Sequence, residues 1–485
     1  MKRVFIICIF LLRAISCGQA QNLDRQLTLD EALHITLTTN PAIKATANEK
    51  QAATQLRRAA IGLRMPQFNV VGSYTHLSKD IGVNLNNLKA PIRQTAQQLL
   101  PLIPETLQPS ITGLLGSITS ADWFFKIQDR NLGFIGGEMQ IPLWLGGKIN
   151  VANRTARINE QIAKQHQIQI RNTLITELIQ RYFGLSLALE VIKVRAQVVA
   201  GIRQHLKDAE ALERNGMIAH SERLYVEFKL SEAERELSDT QLQLSTLTAA
   251  LNNTLGSNNV SWRPITHMFL LDRIEEVAYF QDLAHSRNPQ LRQVSYKQNL
   301  AEEGVRLRRA DFMPQIAILG GGSFYNYQVA GIVPRWAIGI GVSIKLFDGL
   351  NREYNYSAAK YTVRRIAELQ RKAGNDISVA VEQSYNQLSG YRQQIIALNT
   401  SLSFAEEYLR SKRTAFLEGL CSSSELIDAE LELASVRAKR LQAAYDYDLA
   451  LAQLLEIAGI SEEFFSYMRR IDAFPILFNQ SQNQQ

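Results

Sequence analysis

Proline is absent between Pro142 and Pro264 and again between Pro334 and Pro475, and both intervals are rich in Ala, Leu, Gln, Glu, Arg and Lys. A proline inside a helix deletes a hydrogen bond and clashes with the preceding turn, so these intervals are free to form long helices. The pattern predicts helices over 148–215 and 221–255, then over 351–417 and 423–458. At 1.5 Å per residue a helix of ~65 residues extends ~100 Å, which no compact globule accommodates. Such helices pack along their lengths as coiled-coil rods. The last one carries the seam. Ala429, Val436, Ala443, Ala450 and Ile457 recur at heptad spacing, with Leu426, Leu433, Tyr447 and Leu454 ahead of four of them and Arg440 as a break.

The chain is written twice. "NPAIKA" at 40–45 is answered by "NPQLRQ" at 288–293, and "MPQF" at 65 by "MPQI" at 313. Gly146, Gly216 and Gly256 are answered by Gly349, Gly419 and Gly459 at a shorter interval. Two repeats are therefore expected, 21–256 and 276–459, joined by a linker over 257–275 and followed by a polar tail over 460–485. In each repeat a helix (28–63, 276–311) leads into two strands, 66–77 with 131–143 and 314–325 with 334–347. In "RWAIGIGVSIKLF" the alternate residues Trp336, Ile338, Ile340, Val342, Ile344 and Leu346 are all apolar. Ile135, Met139, Ile141 and Leu143 oppose Gly136, Glu138 and Gln140 in the same way. Such strands have one apolar face and, at ~10–12 residues, the length to cross a bilayer at a tilt. A soluble sandwich would alternate too, but four strands attached to rods of this length favour the membrane. The unequal intervals come from the strand connections, 78–130 in the first repeat against 326–333 in the second. A loop as long as 78–130 is expected to form short helices over the mouth of a barrel.

The start, "MKRVFIICIFLLRAISCGQAQ", has basic residues, a short apolar run and small residues before Gln21. It reads as a signal peptide over 1–20, with lipidation at Cys17 as the alternative. Removing it leaves Cys421 as the single cysteine, so no intrachain disulfide forms. No later stretch is apolar enough to span a bilayer as a helix, so entry into a membrane must use strands. Of the formal charge of +7, three units belong to Lys2, Arg3 and Arg13 in the leader. The remainder is too mild for a nucleic-acid partner. The seven histidines are scattered, with no HExxH motif. "GGGS" at 320–323 lacks the helix and lysine of a phosphate loop. No catalytic residue, metal site or cofactor is predicted, and the chain is not expected to be an enzyme.

The order of leader, helix, strand, loop, strand, long helix, tight turn and return helix, repeated once, resembles the TolC-like outer-membrane efflux family. "LTLDEALHITLTTNP" (27–41), the two "MPQ" motifs, "LWLGGK" (143–148) and "LFDGLN" (346–351) carry the resemblance. So do the turns "ERNGMIAHSERL" and "LEGLCSSSELI" and the helix ends "LNNTLG" and "LLEIAG". It covers nearly all of the mature chain. It implies a mainly α fold with a small β part, in which a long α-helical coiled-coil barrel continues a transmembrane β-barrel. Each protomer supplies four strands, so the barrel closes as a homotrimer. The implied role is the exit duct of a tripartite efflux or type I-like secretion system. Its partners are a periplasmic adaptor, an inner-membrane pump of resistance–nodulation–division or ATP-binding-cassette type, and outer-membrane lipid. The implied location is the outer membrane, with most of the chain in the periplasm. A periplasmic structural or adaptor coiled coil without a pore is the rival, and a duct for protein or polysaccharide is a narrower one.

In the family, acidic residues ring the periplasmic entrance just after each turn glycine, which here selects Glu222, Glu425 and Asp428. The family often has Asp where this chain has Glu222 and Glu425. Both glutamates also fall in the first turn of a returning helix, where a carboxylate stabilises the helix end with no further role. Ser221 and the serines 422–424 read as caps. The apolar tips Met217, Ile218 and Leu420, with Gly216 and Gly419, are the expected adaptor contact.

Overall fold

The computed structural model describes residues 25–105, 107–257 and 260–476. The expected signal peptide, Cys17 and the end of the expected tail (477–485) lie outside the described residues. The described residues begin with β1 (Arg25–Leu27), α1 (Leu29–Thr39), α2 (Pro41–Gly62), β2 (Gln67–His76) and β3 (Ile81–Asn84). Next come α3 (Lys89–Leu99), α4 (Gln108–Ser120), β4 (Phe124–Gln128), β5 (Asn131–Leu145), α5 (Lys148–Arg214) and α6 (His220–Leu255). Then follow β6 (Trp262–Pro264), β7 (Phe269–Leu271), α7 (Val277–Arg287), α8 (Pro289–Ala310), β8 (Gln315–Tyr327) and β9 (Trp336–Ser343). The last elements are α9 (Asn351–Leu417), α10 (Ser423–Ile457), α11 (Phe464–Met468) and β10 (Ala473–Pro475). The fold is mainly helical, and α5 and α9 each run unbroken for 67 residues. Among the described residues no helix is long and apolar enough to cross a membrane. The chain forms two compact units, one of residues 25–56, 156–302 and 361–476 and one of 57–155 and 303–360.

In the larger unit the single helices expected over 28–63 and 276–311 are each broken in two, at Asn40 and Asn288. The cause is the following proline, whose ring bars the preceding residue from helical geometry; the ψ angles of Asn40 and Asn288 are 127° and 121°. Each asparagine also fastens the corner. The Asn40 Oδ1 accepts from the Ala42 N–H at 2.8 Å, while its Nδ2 donates to the Thr254 carbonyl at 2.8 Å. Asn288 accepts from the Gln290 N–H and donates to the Ile457 carbonyl, both at 2.8 Å. The two "NP" motifs thus pin the far ends of α6 and α10. Gly459, at φ +77°, completes the second corner, since a Cβ there would meet the Arg287 backbone at 2.8 Å.

Around these corners lies the main core. Tyr182 on α5 is fully buried and ties together three segments, donating to the Leu27 carbonyl at 2.6 Å and accepting from the Ile265 and Thr266 N–H groups. β1 pairs in parallel with β6, and β7 pairs antiparallel with β10, so the expected linker over 257–275 is woven into the core. Part of the expected polar tail is core as well. Phe464, Phe465 and Tyr467 are buried, and Phe464 packs against Phe183 and Phe269. Apolar burial of these rings outweighs the charged residues around them. On α10 the seam residues Leu426 to Leu454 are buried, and so is Arg440, whose Nε donates to Asn399 at 2.7 Å.

The smaller unit holds a four-stranded antiparallel sheet in the order β2-β5-β8-β9. Directly paired residues share a face, so the register sorts every side chain. One face carries Phe68, Val70 and Tyr74 on β2, Ile135, Met139 and Ile141 on β5, Ile316, Ile318 and Tyr325 on β8, and Trp336, Ile338, Ile340 and Val342 on β9. The other carries Gln67, Asn69, Ser73 and Thr75, then Glu138 and Gln140, then Gln315 and Ser323, and small residues of β9, with Val71, Leu132, Phe134 and Leu319 interspersed. Two register shifts keep the faces in phase. Phe324 is the extra residue of β8, and Leu143 is the extra residue of β5. Leu143 therefore leaves the face expected for it, and Trp144 takes up the pairing with Ile316. The sheet is open, with β2 and β9 as edges, and no barrel closes among the described residues. The long connection 78–130 contains α3 and α4 between the antiparallel pair β3 and β4, and the Gln128 side chain fastens it to the backbone of Gln328 and Ala330.

Asp448 in the larger unit is fully buried. Its Oδ2 accepts from the Phe269 N–H at 3.3 Å, and its Oδ1 has no hydrogen-bond partner among the described residues. Burial holds this carboxyl protonated well above the ordinary carboxylate value. Unfolded, Asp448 ionises at its ordinary value, so between the two values the folded state binds the extra proton. Stability then falls as pH rises through that window, by up to about 1.4 kcal/mol per pH unit. Asp448→Asn, which cannot ionise, is expected to flatten the decline of melting temperature of the detergent-solubilised protein as pH is raised from about 4 to about 8.

Candidate functional site

The two helical hairpins of the larger unit turn by the same device. α5 ends at Arg214, Gly216 adopts φ +71°, and the Met217 N–H returns to the Leu212 carbonyl at 2.9 Å. After α9, Gly419 adopts φ +71° and the Leu420 N–H returns to the Ala415 carbonyl at 2.8 Å. A left-handed residue ending a helix in this way satisfies its last carbonyls, and glycine takes that geometry without strain. The next side chain is thrown outward. Met217 is 70% exposed and Leu420 75% exposed. Ile218 turns inward instead and packs on the cluster of Val199, Ile202, Val226 and Ile427.

The return helices start differently. Ser422 caps α10, its Oγ accepting from the Glu425 N–H at 3.3 Å. Ser221 is not a cap; it lies inside α6, whose N-cap is Ala219 with no side-chain bond. The first tip is held by Glu213, which accepts from His220 at 2.6 Å and pairs with Arg223 at 2.7 Å. The His220 bond, with Arg223 beside it, keeps the Glu213 carboxyl below its ordinary value.

Of the three predicted constriction carboxylates, Glu222 is half-buried in the first turn of α6, while Glu425 and Asp428 are exposed along α10. Neither of the latter two stands alone. Glu425 is ion-paired with Lys412 across the hairpin, which lowers the carboxyl and raises the ammonium. Lys229 on α6 is held up first by Glu232 at 2.9 Å and, more weakly, by Asp428. Lys412 was legible in principle. It precedes Gly419 by about as many residues as Glu425 follows it, and antiparallel helices place such positions opposite one another.

A deeper cluster has no counterpart in the sequence reading. His205 on α5 and Glu430 on α10 are both buried and 3.0 Å apart, and the Arg413 guanidinium on α9 reaches Glu430 at 3.1 Å. Phe416 packs edge-on against His205. Gly201 makes the room, because a Cβ there would lie 2.6 Å from the Glu430 Oε2. The cluster joins one hairpin to the other near the tips. Removing one partner leaves a buried carboxylate short of a donor, at a cost of about 1–3 kcal/mol. His205→Ala is expected to lower stability by that order in denaturant titration, and His205→Gln, which keeps a donor, by less.

Residues 281–460 match the outer membrane efflux protein family. The alkaline protease secretion protein AprF of Pseudomonas aeruginosa is 24% identical over 307 residues, 60% of this chain and 62% of that protein. The match thus spans less than two thirds of that relative's length. The outer membrane efflux protein BepC of Brucella suis is 20% identical over 386 residues, 77% of this chain and 82% of that protein. The outer membrane protein VceC of Vibrio cholerae superposes with a TM-score of 0.67 at 16% identity, covering 89% of this chain and 96% of that one. Residues 281–460 are thus similar to the outer membrane efflux proteins, and the chain shares the fold of VceC along most of its length.

Proposed function

We propose that the chain is the outer-membrane exit duct of a tripartite export system, assembled as a homotrimer of protomers with two internal repeats. The observation that carries this reading is the sheet of the smaller unit. Its apolar face is exposed, with Val70 at 77%, Trp336 at 73% and Ile340 at 69%. A soluble domain has no reason to present so broad a face. Both edge strands also lack backbone partners on their outer sides within the described chain, which hydrocarbon does not tolerate. Three copies joined edge to edge, β9 to β2, give twelve strands with lipid on the apolar face and water on the other. The rival reading, a poreless periplasmic coiled coil, leaves that face unexplained.

The helical hairpins then form the periplasmic conduit, with the exposed Met217 and Leu420 offered to an adaptor and Glu222, Glu425 and Asp428 around the entrance. Rings of carboxylates favour cations. The pump partner selects the cargo. AprF is named for protease secretion and BepC for efflux, so both small molecules and protein remain within the reading.

The protein is expected to fractionate with outer membranes and to conduct ions in planar bilayers. Double replacement Glu425→Gln with Asp428→Asn is expected to weaken the dependence of single-channel current on cation type and concentration. An unchanged current would leave both as helix-end residues. A protein that dissolves without detergent and never conducts would contradict the duct itself.

A further inference from the structure

Glu138 is the only Asp, Glu, Lys or Arg within β2, β5, β8 and β9. It stands near the middle of the sheet on the face opposite the apolar one, paired with Asn69 on β2 and Gly321 on β8, with Ala337 beyond them on β9. These neighbours are small or neutral, and Gly136 and Gly137 precede it in the strand. The side chain is exposed and has neither an ion pair nor a hydrogen bond among the described residues. An unpaired carboxylate in a membrane strand is costly on the lipid side and functional on the water side. No structural partner accounts for this one.

We infer that Glu138 is a specificity-determining residue of the channel, a ring of three carboxylates that favours cations and cationic solutes within the barrel. The inference rests on the trimeric duct proposed above. Twelve strands ~4.8 Å apart and tilted by ~40° trace a circle of ~12 Å radius. With the side chains reaching inward, an ion on the axis passes within about 8 Å of each carboxylate, inside the ~10 Å screening length at 0.1 M salt and well outside the ~3 Å length at 1 M. The ring therefore acts at low salt and fades at high salt. Arg335 and Lys345 continue the alternation of this face beyond the two ends of β9. They set the absolute preference of the pore together with Glu138, so the diagnostic quantity is the change when Glu138 alone is altered.

The test is the reversal potential of the full-length protein in planar bilayers under a potassium chloride gradient. Glu138→Gln is expected to lower the potassium-to-chloride permeability ratio about twofold or more near 0.1 M and to change it little at 1 M. Glu138→Lys should lower it further at the same single-channel conductance scale. In a Cys421→Ser background, Glu138→Cys should show the reduced ratio, and a thiol reagent carrying a sulfonate should restore it. A channel that conducts normally with the same ratio in all variants overturns the role of Glu138 and leaves the duct standing. A wild-type protein without conductance overturns both.

Discussion

Strands β2 and β9 each present a row of backbone N–H and C=O groups that nothing within the described chain satisfies. In water such an edge is a liability; in hydrocarbon each unsatisfied group costs several kcal/mol. In the proposed duct, the apolar face beside those edges is what commits the sheet to hydrocarbon. The two features together make the protomer incomplete, and everything proposed for its function descends from that incompleteness. In the proposed trimer the open sheet is half of an interface, its polar face is a pore wall only once the ring is closed, and Glu138 becomes a ring only by repetition.

The helical part solves a different problem, that of fixing very long helices against one another. A heptad seam of small residues tolerates sliding, because one alanine layer resembles the next. The corners at Asn40 and Asn288 remove that freedom. Each ties a proline-broken helix to the last carbonyls of a return helix through a buried amide. At the opposite end, His205, Glu430 and Arg413 tie the two hairpins together with charge. Polar contacts at both ends set the register, and apolar burial between them supplies the cohesion.

What was legible in the sequence follows from which signals are local. α5 and α9 occupy stretches whose lack of proline and helix-favouring composition announce them. The alternation in β9 is equally local, because a strand's two faces are written in successive residues. The Asn–Pro corners were visible as a repeated motif, but their work depends on Thr254 and Ile457, far along the chain. The bulge at Leu143 escapes period-two counting, since a single inserted residue changes phase without changing composition. Phe464 and Phe465 were hidden by acidic and basic neighbours that made the segment read as a polar tail. At the tips the turn glycines declared themselves and their spacing places Lys412 opposite Glu425, whereas the buried His205–Glu430 pair belongs to the packing of separate helices and leaves no local mark.

The central claim is stoichiometric, that one chain supplies a third of a closed wall. The mass of the protein component in a detergent micelle, separated from detergent by combined light scattering and refractive index, tests it most directly. The account predicts three chain masses in a single species. A protein component with the mass of one chain, stable across detergents and lipid compositions, would contradict it.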